Sequence, residues 1–107
     1  MSAHLLVMYP APKDPSAFER AYREQHLPYA GPRLTAAGAT SVVSKRGVAV
    51  GGGTPPYHAV SDITFPTMEM LAACASSSGG KEALGHAASI SSGGAPTILV
   101  VSDDFAT

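Results

Sequence analysis

The chain has 107 residues, of which 45% are hydrophobic and only 14% charged, with a formal net charge of −1, four histidines and one cysteine. That length makes one domain with little core to spare, and seven scattered basic residues against that balance exclude a nucleic-acid footprint. A single Cys74 excludes an internal disulfide and a thiolate-rich zinc site, and no apolar run approaches the roughly 20 residues of a membrane-spanning helix.

Ala3 to Tyr9 (AHLLVMY) reads as a first strand, apolar on both faces because Leu5 and Val7 alternate with Leu6 and Met8. After the PAPKD turn, Asp14 is a good N-cap with Pro15 at the first helical position; Ser16 and Glu19 offer a capping box as the alternative start. The first helix is predicted over Pro15 to His26. It carries Phe18, Tyr22, Gln25, His26 and Tyr29 on one stripe and Glu19, Arg20, Arg23 and Glu24 on the other. Pro28 should stop or kink it, with GPRLTAAG leading out as loop. Thr40 to Val50 is β-branched and reads as a second strand, with a bulge marked by Gly47. GGGTPP connects it to a third strand, Tyr57 to Phe65, whose faces carry Tyr57, Ala59, Ser61, Ile63 and Phe65 on one side and His58, Val60, Asp62 and Thr64 on the other.

From Pro66 the period changes. Met68, Leu71, Ala72 and Ala75 form a helical stripe that ends in SSSGG, and a further short helix is expected over Lys81 to Ala88. Thr97 to Val101 (TILVV) is a last strand, again apolar on both faces. The order strand, helix, strand, strand, helix, strand is the ferredoxin-like βαββαβ arrangement, an α+β fold with a four-stranded antiparallel sheet and its helices on one face. The other face then needs a cover, and low charge together with two-sided apolar strands predicts a homodimer of face-to-face sheets.

The opening LLVMYPAPKDPSAFERAYREQHLPYA resembles the EthD-like family, named for a protein of ethyl tert-butyl ether degradation. Asp14, Pro15, Phe18, Tyr22, His26 and Pro28 match its "DP..F...Y...H.P" helix, and Phe65, the Gly93–Gly94 turn and ILVVSDD agree more loosely. The resemblance implies a dimeric α+β barrel with a cavity inside each protomer. Relatives on that architecture include lactone isomerases, polyketide cyclases and dehydratases, and cofactor-free monooxygenases. It thus implies a small apolar organic ligand and an oxidoreductase, isomerase or cyclase chemistry that needs no bound cofactor, in a degradation or secondary-metabolism pathway. Without a signal-peptide pattern at the N-terminus the expected location is the cytoplasm.

His26 is the candidate acid or base. In the last turn of the first helix the dipole favours its imidazolium and burial favours the neutral ring, which together place it near neutrality; the structural alternative is a helix-capping histidine. Tyr9, Tyr22, Tyr29 and Tyr57 are the candidate substrate-binding hydroxyls, with core packing as the alternative. His58 and Asp62 share a strand face but lie roughly 13 Å apart, too far for a direct pair. His4 and His86 have no second ligand at metal spacing and read as surface or satisfied groups. Cys74 reads as a buried small side chain, Asp103 and Asp104 as a solvated acidic end. GGG at 51 to 53 lacks the lysine of a phosphate loop, and no haem or nucleotide motif is present, so oxidative chemistry would rest on the substrate or molecular oxygen.

Overall fold

In a computed structural model, which describes residues 1 to 105, strict alternation builds the first strand, β1 (Ala3–Tyr9). Ala3, Leu5, Val7 and Tyr9 are buried against helices, while His4, Leu6 and Met8 are half-buried on the opposite face. β1 pairs antiparallel with β3 (Ala59–Phe65) on one side and β4 (Thr97–Ser102) on the other, and β2 (Ser41–Arg46) pairs with β3, giving the order β2-β3-β1-β4. Register places Leu5 opposite Ile63 and Val100, and Val7 opposite Ser61 and Ile98, so the buried set of β1 meets the buried set of β3 on one face. This is the expected ferredoxin-like sheet. The second strand is shorter than predicted: just past its end, at Gly47, the backbone passes so close to the segment leading into β3 that an added Cβ would lie 1.7 Å from the Tyr57 carbonyl oxygen.

Asp14 caps the first helix as predicted, accepting from the Ala17 N–H at 3.2 Å with Pro15 as the first helical residue. The helix does not stop at Pro28. α1 (Pro15–Ala21) passes into a π-helical turn (Tyr22–His26), which passes into α2 (Leu27–Ala36). In the wide turn the Leu27 N–H reaches back to the Tyr22 carbonyl. The turn lies directly before Pro28, whose ring would otherwise meet the Glu24 carbonyl of an α-helix. It also serves packing. Phe18, Tyr22, His26, Ala30 and Leu34 are all buried at a strict spacing of four, which in an α-helix drifts about 40° per step; a wider turn takes back part of that drift. Gln25, expected on the inward stripe, is exposed, and Tyr29 is only half-buried.

The second helical region departs from expectation in the same sense. α3 (Met68–Ser76) buries Leu71 and Cys74, whereas Met68 and Ala72 are exposed. The SSSGG run ends α3 and also starts α4 (Ser78–Ile90): the Ser77 hydroxyl donates to the Cys74 carbonyl at 2.6 Å and accepts from the Gly80 N–H at 3.0 Å. A Cβ on Gly80 would lie 1.9 Å from the Cys74 carbonyl oxygen, so only glycine permits this tight joint. Small residues Ala83 and Ala87 are buried on α4, which packs against α2 and brings the middle of α4 to the π turn.

Candidate functional site

The π turn aims His26 into the protein, where it is 5% exposed. Its Nδ1 lies 2.9 Å from Nδ1 of His86 on α4. The two rings are within 9° of parallel with centroids 5.2 Å apart, a separation larger than the nitrogen distance by about two ring radii, so the nitrogens face each other edge to edge. One ring donates its Nδ1–H and the other accepts. On the far edge, Nε2 of His26 is 3.5 Å from the Tyr9 hydroxyl, a long contact. Tyr9 is fully buried, and burial pushes its phenol above the ordinary value, so it stays protonated.

Burial first, then the neighbouring His86, lowers His26 from 6.5 to about 4. The expectation of a ring poised near neutrality is therefore corrected. That balance rested on a helix C-terminus at His26, but the helix runs ten residues further, which leaves no terminal dipole there to offset desolvation. His26 is a neutral imidazole at pH 7.

Of the four tyrosines, three gather around the histidine pair and one does not. Tyr22 packs on His26 at 5.6 Å between centroids, and its hydroxyl sits between Ser44 Oγ at 2.6 Å and Ser61 Oγ at 2.7 Å. Tyr29 packs on His86 at 4.7 Å between centroids and has the Arg33 guanidinium 3.7 Å from its ring centre, so it supports the partner rather than His26. Tyr57 is remote, donating to Thr97 Oγ1 at 3.1 Å. Beside His26 runs a narrow void, about 10 Å³ open to the centre of a water molecule, at the limit for one water. Apolar side chains such as Val7, Leu34 and Ile63 line it; His26 and Ser61 are its polar groups.

His86, read from the sequence as a surface or satisfied group, is thus the hydrogen-bond partner of His26. Sixty residues separate them, and the only local hint is its place among the small residues Ala83 and Ala87, which let two helices approach. His58 pairs with Glu19, not Asp62, at 3.1 Å. Asp62 instead accepts from His4 Nδ1 at 2.8 Å and Lys45 at 3.0 Å. Asp103, expected to be solvated, accepts from His4 Nε2 at 3.0 Å. Cys74 is buried, and burial raises its thiol, which fits a packing role. No group of three metal-ligating side chains occurs among the described residues.

An EthD family protein from Bacillus halodurans superposes with a TM-score of 0.83 at 20% identity, covering 96% of this chain and 99% of that one. The chain folds as the EthD-like proteins do. An EthD-like protein from Ralstonia eutropha gives 0.69 at 21% identity, covering 99% and 95%. A dimeric ferredoxin-like protein of unknown function from a Jannaschia species gives 0.65 at 17% identity, covering 95% and 99%. No protein-family model matches the chain, and no curated protein matches its sequence. The resemblance read from the first helix therefore has its counterpart in the whole fold.

Proposed function

We propose that the chain is a single-domain, cytoplasmic EthD-like homodimer that binds a small apolar organic metabolite between helices and sheet and moves a proton on it without a bound cofactor. The observation that carries this reading is the neutral, buried His26 held between His86 and Tyr9 at the edge of an apolar void. Apolar walls with a few convergent polar groups and a strongly shifted titratable group are the usual marks of a binding or catalytic site. Neutral His26 serves as base through one nitrogen, and His86 supplies or accepts the proton at the other, so charge passes to the half-buried ring. The oxidative, degradative role that the family resemblance implies belongs to the same reading, with the oxidant coming from the substrate or molecular oxygen.

The homodimer rests on the open face of the sheet. Helices cover one side only, and the other presents Leu6, Met8, Val60 and Val101 half-buried with Val43 and Leu99 exposed. A Jannaschia protein of the same fold is described as dimeric. No helix among the described residues is long and apolar enough to cross a membrane.

In a second reading, a carrier or accessory subunit of an oxidation system, His26 and the tyrosines only shape a mostly apolar pocket, whose void must widen to take anything larger than water. One comparison separates them. With the compound that copurifies as substrate, His26→Gln should lower turnover about a hundredfold under the catalytic reading; full turnover in that variant discards His26 as the base, and binding without turnover in the unaltered protein supports the carrier.

A further inference from the structure

A second cleft, of about 270 Å³, lies on the helix side between α1, the π turn and strands β2 and β3. His58 lines it. Two contacts place the ring, Nε2 at 3.1 Å from Glu19 Oε2 and Phe18 edge to face at 5.6 Å, and the backbone N–H of His58 donates to the Tyr9 carbonyl at 2.8 Å. Glu19 is itself gripped by both terminal nitrogens of Arg46 at 3.2 Å. Arg46 first, then His58, holds its carboxyl down at about 2, so it is ionised and can only accept. Nε2 of His58 therefore donates, and in the neutral ring the lone pair lies on Nδ1. Nδ1 has no partner among the described residues, where no buried side-chain nitrogen or oxygen is left unpartnered, so this atom reaches open space.

On the same sheet wall, one strand over, Ser44 of β2 presents a hydroxyl in hydrogen-bond contact with that of Tyr22, which also meets the Ser61 hydroxyl. Arg23 also lines the cleft and has no carboxylate partner within 4.0 Å among the described residues, unlike Lys45 and Arg46. The sheet wall thus carries an imidazole and a hydroxyl on neighbouring strands, and Arg23 adds a cation, with Phe18 and Ala59 as apolar surface.

We propose that this cleft is a proton-transfer site, separate from the His26 void, for a small organic anion that carries a carbonyl next to an acidic C–H. The carboxylate faces Arg23 and the apolar body lies on Phe18. His58 Nδ1 takes the proton from carbon; the C–H electron pair moves into the carbon–carbon bond and the carbonyl pair onto oxygen, where the Ser44 hydroxyl meets the charge. The imidazolium returns the proton to oxygen or carbon, so the net change is an isomerisation with no oxidant. Glu19 is the positioning residue.

Phenylpyruvate is a probe of this class, and its keto–enol interconversion and deuterium exchange at the methylene can be followed by absorbance and proton NMR. The intact protein should accelerate both above buffer. His58→Gln should lower kcat about a hundredfold, Arg23→Ala should raise KM with kcat held, and Glu19→Gln should lower kcat with KM held, a split that a loss of folding does not produce. Rates equal to buffer with the unaltered protein, or acceleration that survives His58→Gln, overturn the proposal. Neither outcome depends on the ligand of the His26 void, so this site and the proposed function fail or stand separately.

Discussion

His26 and His4 show how one residue type is set to opposite states by its surroundings. His26 is buried beside another imidazole and falls to about 4; His4 meets two carboxylates, Asp62 and Asp103, which both accept, and its pKa is raised. Their linkage to stability has opposite sign. The unfolded chain binds the His26 proton more tightly than the folded one, so stability drops as pH falls from 6.5 toward 4. A shift of that size corresponds to about 3 kcal/mol at full extent. His4 contributes below 6.5 and its contribution is lost as pH rises through its raised value. Urea unfolding as a function of pH should show the acid-side loss in the unaltered protein and a flatter limb in His26→Phe. His86→Phe leaves Nδ1 of buried His26 without a partner and should cost about 1–3 kcal/mol in the same assay. Neither pairing was legible in the sequence, because hydrogen-bond partners 60 and 99 residues apart leave no local pattern. His26 itself was legible through its place on the inward face of the first helix.

At the scale of elements, local chemistry wrote β1, the Asp14–Pro15 helix start and the two-faced pattern of β3 plainly into the sequence. It failed where tertiary packing overrode a local rule. Pro28 signals a helix end, yet the chain inserts a π turn and continues, because burying Phe18, Tyr22, His26, Ala30 and Leu34 together outweighs the local disruption. Similarly SSSGG signals a stop, yet Ser77 bonds both ways and Gly80 lets the next helix begin at once. Gly80→Ala should cost at least about 2 kcal/mol, read as a lower urea midpoint, since the new methyl meets backbone and not a movable side chain. A midpoint unchanged from the parent protein would show that the α3–α4 joint is looser than the close approach implies.

Across the whole molecule, one layer of helices covers one face of the sheet, and the homodimer depends on what covers the other. Leu99, 45% exposed at the centre of β4, lies on that open face beside Leu6, so Leu99→Arg places a charge where a second sheet would pack. It should leave a folded monomer, with the mass and sedimentation of a single chain. The βαββαβ order and the one-sided helix cover were readable from the sequence; which side chains meet across helix and sheet was not, since that depends on α4 docking on α2. Native mass spectrometry of the freshly purified protein, with no ligand added, tests dimer and binding cavity together. The expected result is a dimer carrying extra mass that leaves on denaturation. A bare monomer at micromolar concentration would contradict it.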